Sequence, residues 1–223
     1  HIYDNAGQRM KQLTLPEAPA AGVFPSMLVE AQAGFKTVLE KMERGDILFL
    51  FTDGLEEAKR HFRDEKFNIT VCNEPGLKEG ELHGNTHAVG SDNEELGIPR
   101  IHEVINAVLS RGKYSLYKYH NPIPDETLTF DFSRCEGNVS EAVLALIAIE
   151  RIFRIYPNPK AGETDRIFID RRIDEFLQDH FDQYADYFSH RIETNEKEQY
   201  IGFSHLKEDE QYDDLTLLAV RKK

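Results

Sequence analysis

An α/β fold follows from three patterns in the chain. Ile47 to Phe51 are consecutive large apolar residues, as in a strand buried on both faces, and Asp53-Gly54 followed by Leu55-Glu56-Glu57-Ala58 then reads as a turn and a helix start. Ile101, Val104, Ile105, Val108 and Leu109 fall on one face of an amphipathic helix. Leu128, Phe130 and Phe132 alternate with Thr129, Asp131 and Ser133, the period of a half-exposed strand.

In chain order, residues 1 to 60 read as β-rich. A short strand comes first, a second lies near Arg9 to Leu15, and Phe35 to Met42 lead into Ile47–Phe51. Pro16, Pro19 and Pro25 punctuate this stretch. Residues 73 to 97 are polar and carry Gly76, Gly80, Gly84, Gly90 and Gly97, so they read as a long loop. Pro99 suits the first turn of the next helix, which is expected to end at Gly112. Asn138 with Glu141 matches a capping box and starts a helix over about 139–156. That helix is apolar nearly all round between Ala142 and Ile149, so it belongs in a core or an interface, and Tyr156-Pro157-Asn158-Pro159 stops it. A further helix is expected over about 166–181, with Ile169, Ile173, Phe176 and Leu177 on one face. The two should pack together; the plainer outcome buries them wholly within the monomer, and the alternative leaves an apolar face for a sheet, a second copy of the chain in a homodimer, or a regulatory partner. Leu215 to Val220 reads as a last apolar strand.

Composition narrows the function. At 223 residues with 40% hydrophobic content, the chain can bury a core of one large domain, or of one domain with an insertion. A net charge of −13 argues against a nucleic-acid partner, since phosphate backbones need a basic surface. Lys113 to Tyr119 mixes bases with aromatics, but in so acidic a chain it reads as an amphipathic strand. Cys72 and Cys135 have no paired spacing, which suits reduced thiols in a cytoplasmic protein. The longest apolar run, Ala142 to Ile149, is far short of the ~20 residues of a membrane span. His83 and His87 have His-x-x-x-His spacing, yet their Gly- and Asn-rich surroundings fit a solvated loop better than a zinc site. No P-loop, nucleophile elbow or dinucleotide fingerprint occurs.

The remaining signal is acidic. Asp53 and Gly54 follow one apolar strand, and Asp213 and Asp214 precede another. Carboxylates at rigid strand ends suit a shared site for a hard cation, which prefers oxygen ligands. Each also has a plainer reading: Asp53 as a polar turn residue, Asp213 as the end of the solvated run Glu208-Asp209-Glu210, and Glu56 and Glu57 as first-turn helix acids.

Thr52-Asp53-Gly54-Leu55-Glu56-Glu57-Ala58 and Asp213-Asp214-Leu215-Thr216 resemble the Thr-Asp-Gly-x-x-Glu-Ala and Asp-Asp-x-Thr elements of the metal-dependent Ser/Thr protein phosphatases (PPM or 2C type), in their bacterial SpoIIE-like branch. Tyr3-Asp4-Asn5-Ala6-Gly7 is similar to the family's Asn-Ala-Gly-His, and Ala20-Ala21-Gly22 to its small-residue turn. Glu95-Leu96-Gly97-Ile98-Pro99-Arg100-Ile101 is similar to the Phe-Gly-x-x-Arg-Leu that opens a family helix. The elements stand in family order and cover residues 1 to about 125 and 200 to 223.

The resemblance implies two antiparallel sheets stacked as a sandwich and flanked by helices. Residues 1–125 and 186–223 would belong to the phosphatase domain, and 126–185 would be an α-rich insertion. It implies two Mn²⁺ or Mg²⁺ ions that activate a water for phosphoester hydrolysis, with Asp53, Gly54, Asp213 and Asp214 at the metal centre. It assigns no catalytic side chain beyond the metal ligands. The expected substrate is a phosphoprotein such as a phosphorylated anti-sigma-factor antagonist, and an upstream sensory domain would control activity. Gln8 stands where the family has His, and the family's first metal-binding element, Asp-x-x-Gly-His-Gly, does not occur. The chain begins at His1, so it is read as the C-terminal part of a longer cytoplasmic or membrane-tethered protein, inactive alone because the bridging Asp is missing. Two rivals are a non-catalytic, partner-binding module with a degenerate phosphatase fold, and an unrelated protein holding a structural ion on Asp53 and Asp213.

Overall fold

The computed structural model describes residues 1–14, 38–61, 63–64, 66–69, 94–117, 127–158, 165–192, 199–211 and 213–223. These form a mixed α/β structure of five helices and several small antiparallel sheets. By its contacts the chain divides into His1–Phe49 with Val220–Lys223, and Leu50–Ala219.

In the first unit, β1 (Ile2–Asp4) and β2 (Arg9–Lys11) form a hairpin with Tyr3 opposite Met10. Asp4 closes its turn: Oδ1 accepts from the Ala6 and Gly7 amides at 3.0 and 2.9 Å, an Asx turn that leaves Gln8 at φ +48°. β3 (Ile47–Phe51) lies antiparallel to β1, with Ile2 opposite Leu48. Buried Asp46 pins this corner by accepting from the Asn5 amide at 3.0 Å and the Glu43 amide at 2.7 Å.

β3 departs from expectation. Ile47 and Phe49 are buried, but Leu50 is 50% exposed, so the strand buries one face. A continuous apolar run cannot by itself distinguish one buried face from two. β2 is shorter than expected, and among the described residues 38–42 there is no strand, with Leu39 exposed.

The second unit opens with the one-turn helix α1 (Asp53–Glu56), then β4 (Lys59–Arg60), which pairs with β5 (Glu94–Glu95). The loop expected over 73–97 otherwise lies outside the described residues, as do His83, His87 and Cys72. α2 (Gly97–Leu109) buries Ile101, Val104, Ile105 and Val108, the expected face. It ends before Gly112, with Arg111 taking the left-handed turn at φ +57°. β6 (Lys113–Tyr117) and β7 (Thr127–Asp131) form a hairpin that turns Leu116, Leu128 and Phe130 into the core.

α3 (Val139–Arg154) carries the expected capping box. Asn138 Oδ1 accepts from the Glu141 amide, and Glu141 Oε2 accepts from the Asn138 amide, both at 3.0 Å. No residue from Glu141 to Arg154 is exposed, and the helix packs on α2, β4 and the later helix α4, so burial within the chain accounts for its apolar surface. It stops two residues early, because β8 (Ile155–Pro157) peels off to pair with β11 (Leu206–Glu208).

The helix expected over 166–181 is instead a strand, β9 (Arg166–Asp170), followed by α4 (Arg171–His180). Ile167 and Ile169 alternate inward and pair with β10 (Tyr200–Ser204), and Asp170 then caps α4 by accepting from the Arg172 amide at 2.9 Å. Ile173, Phe176 and Leu177 are its buried face. The short helix α5 (Tyr184–Tyr187) follows. The last strand, β12, runs from Leu217 to Arg221, at the edge of a sheet ordered β12-β3-β1-β2, with Leu218 and Val220 exposed rather than buried. Residues 126–185, read from sequence as an insertion, lie within the second unit and share its core with α2.

One polar cluster sits inside this core. Glu94 and Arg100 are both 0% exposed. The Glu94 carboxylate accepts a fork from Arg60 Nε and Nη2, each at 3.2 Å, and a further bond from Arg100 Nη2. Arg100 Nη1 also donates to the Glu95 carbonyl at 2.7 Å, and the Arg60 guanidinium lies 4.3 Å from the centre of the Phe153 ring. Glu94→Ala would remove the buried carboxylate that two buried guanidinium groups share. Urea denaturation should show a loss of about 3–5 kcal/mol for this variant, and a loss below about 1 kcal/mol would contradict the assignment.

Candidate functional site

The two acidic segments lie side by side in the second unit. Thr52 leads into α1 and joins them: its amide donates to the Thr216 carbonyl at 3.1 Å, its Oγ1 donates to the Asp214 carbonyl at 2.7 Å, and the same Oγ1 accepts from the Thr216 amide at 2.9 Å. Gly54 is buried against the partner backbone. A Cβ there would stand 2.7 Å from the Asp214 carbonyl oxygen and 3.0 Å from that of Asp213, closer than carbon tolerates. Gln211 completes the clamp, its Nε2 donating to the Gly54 carbonyl at 2.8 Å and the Asp213 carbonyl at 3.0 Å. Sequence reading missed Gln211, since a glutamine in an acidic run carries no signal of its own.

The carboxylates stand at the surface of this clamp. Asp53, Asp213 and Asp214 are exposed. Asp53 Oδ1 accepts from the Gly54 amide at 3.1 Å and Asp213 Oδ1 from the Asp214 amide at 2.7 Å, so each carboxylate is oriented by a neighbouring N–H. Among the described residues, no three His, Cys, Asp or Glu side chains gather closely enough to hold a metal ion. The other motif residues fall in the first unit, in the core of the second, or outside the described residues. Asn5-Ala6-Gly7 forms the hairpin turn of the first unit, Arg100 is consumed by the buried ion cluster, and Ala20-Ala21-Gly22 lies outside the described residues.

Negative charge accumulates beside Asp53. Burial raises the Glu56 carboxyl above its ordinary value, and the charges of Glu57, Asp53 and Glu95 push in the same direction. A carboxyl raised on folding disfavours the folded state once ionised. The penalty is absent below the ordinary Glu range and grows as pH rises through the raised value. Glu56→Gln should therefore raise the melting temperature at neutral pH and leave it unchanged below the carboxylate range. The same change at both pH values would show that the residue acts through packing instead.

A second pair of reactive groups is structural. Cys135 Sγ lies 3.6 Å from His180 Nε2, whose Nδ1 is 2.9 Å from the Asp131 carbonyl and so donates to it. This orients the imidazole as an acceptor for the thiol. Burial, with Glu141 nearby, pushes the thiol up to about 12, the opposite of what an activated nucleophile needs. Among the described residues no helix is long and apolar enough to cross a membrane.

Comparison with known protein families, curated proteins and solved structures finds no match.

Proposed function

We propose that the chain is the C-terminal part of a bacterial SpoIIE-like phosphoserine/phosphothreonine protein phosphatase, with Asp53 and Asp213 as ligands of Mn²⁺ or Mg²⁺ and Asp214 beside them. The observation that carries this reading is the contact of Gly54 with the Asp213-Asp214 backbone, reinforced by the Thr52–Asp214 bond between residues 162 positions apart. It sets the two motif-borne acidic segments at adjoining strand ends. On the same motif order, we assign the small antiparallel sheets to a PPM-type sandwich.

The donor chemistry fits the ion. Asp53 and Asp213 each use Oδ1 on a backbone amide, which leaves the second carboxylate oxygen for a hard cation. The ion, when bound, acidifies water and neutralises phosphoryl charge. The chain's own part is positional. Thr52 and Gln211 hold the two acidic segments in register, and Gly54 permits their close approach. The field of Glu56 and Glu57 beside Asp53 favours a cation and repels an unaccompanied phosphate. In the complete phosphatase a bridging Asp from an Asp-x-x-Gly-His-Gly element would join them. The substrate is then a phosphorylated signalling protein such as an anti-sigma-factor antagonist, and a sensory domain in the same polypeptide sets the rate.

Turnover tests this directly. The 223 residues alone should release little phosphate from a phosphoserine protein with Mn²⁺, whereas a polypeptide that also carries Asp-x-x-Gly-His-Gly before His1 should be active. Asp53→Asn or Asp213→Asn should abolish that activity without changing the circular dichroism spectrum. Strong activity from the 223 residues alone would overturn the ligand set, and so would activity retained by Asp53→Asn. No turnover from either protein would instead identify a non-catalytic, partner-binding module.

A further inference from the structure

A cleft whose lining includes none of Asp53, Asp213 or Asp214 brings two imidazoles together. The segment after α5 runs antiparallel to β10: Arg191 bridges Phe203, the Ser204 amide donates to the His190 carbonyl at 3.0 Å, and the Ile192 amide donates to the Gly202 carbonyl at 2.9 Å. This register places His190 beside His205, which forms the bend between β10 and β11. Their ring centres are 4.2 Å apart. The cleft they line has a volume of about 370 Å³, and Asp186, Tyr187, Ser189 and Ser204 share its wall.

The His190 ring is held by a hydrogen bond, the His205 backbone is fixed, and both rings are chemically open. His190 Nδ1 is 3.0 Å from Ser189 Oγ, and with the ring N–H donating there, Nε2 carries the lone pair. His190 Nε2 and both ring nitrogens of His205 have no hydrogen-bond partner within the described protein. His205 is fixed through its backbone: φ is +62°, a left-handed conformation costly for a residue other than glycine, and its carbonyl accepts from the Asn158 amide at 2.9 Å.

The local charge admits a cation. Among the described residues that line the cleft, Asp186 supplies the one carboxylate. The neighbouring basic groups are engaged elsewhere: Arg191 Nη1 pairs with buried Asp174 at 3.2 Å, and Lys207 with Asp165 at 3.2 Å. Two imidazoles with ring centres 4.2 Å apart and open ring nitrogens, in a cleft whose nearby described basic groups are already paired, form a nitrogen-donor site. Such donors select late first-row divalent ions over Mg²⁺ and Mn²⁺.

We propose that His190 and His205 together bind Zn²⁺, or another late first-row divalent ion such as Ni²⁺, as a two-imidazole site completed by water or the hydroxyls of the cleft. The ion would tie the segment after α5 to the β10–β11 bend. The site is separate from the carboxylate site proposed for phosphoester hydrolysis, and its selectivity runs opposite to it.

The test is a Zn²⁺ titration of the 223-residue chain, followed by melting temperature and by the imidazole resonances of each histidine. Zn²⁺ and Ni²⁺ should raise the melting temperature, Mg²⁺ should not, and the His190 and His205 signals should move together. His190→Ala should weaken Zn²⁺ binding by about tenfold or more. So should His205→Asn, chosen because asparagine tolerates the left-handed backbone. A His83→Ala/His87→Ala double variant should respond like the wild type, which separates this site from the His-x-x-x-His spacing. An undiminished response in His190→Ala or His205→Asn would overturn the proposal, as would no response in the wild-type chain.

Discussion

The second unit is organised around a carboxylate that has no contact with water. Glu94 lies between Arg60 and Arg100, and these three residues come from β4, β5 and α2. An ion cluster in the interior does not stabilise more than well-packed apolar residues would, because desolvation offsets much of the Coulombic gain. It does impose geometry. Two guanidinium groups and one carboxylate satisfy each other in few arrangements, and any other pairing of β4 with β5 strands a buried charge. Phe153 of α3 offers its ring to Arg60, so the same cluster fixes where the central helix lies.

A second buried cluster extends this order toward the acidic segments. Asp209 accepts from the His61 amide at 2.9 Å and pairs with Arg63, while its carbonyl accepts from Arg154 Nη1 at 2.7 Å. Arg63 in turn lies 4.1 Å from the centre of the Tyr156 ring. Asp209 is thus held to the chain just after β4 and to the end of α3. Two residues further on, Gln211 reaches the Gly54 and Asp213 carbonyls. The approach of Asp213-Asp214 to Asp53-Gly54 thus follows in the chain directly after a segment anchored in the core.

What could be read from sequence was local. The apolar face of α2 and the Asn138–Glu141 capping box are short-range patterns, and both stand where the spacing placed them. Motif order pointed to the same two acidic segments that Thr52 and Gly54 hold side by side, although it says nothing of Gln211. The errors arose where a distant partner decides. Ile169 and Ile173 fit a helix at i, i+4, but Ile167 and Ile169 fit a strand at i, i+2, and pairing with Tyr200–Ser204 selects the strand. Glu94 fell in the stretch read as a polar loop and Arg100 in a helix-opening motif, because no local pattern marks an ion pair assembled across three elements. Leu50 and Leu218 show the opposite limit: apolar identity indicated burial that the sheet does not provide.

The central claim is that Asp53 and Asp213 belong to one cation site. Mn²⁺ is paramagnetic and broadens the amide signals of residues close to it, so a titration followed in ¹H–¹⁵N spectra locates the ion without relying on turnover. If the claim holds, the Gly54 and Asp214 amides broaden together at the same Mn²⁺ concentration, and Asp53→Asn removes the effect at both. Broadening of one segment without the other, or broadening unchanged in Asp53→Asn, would contradict it.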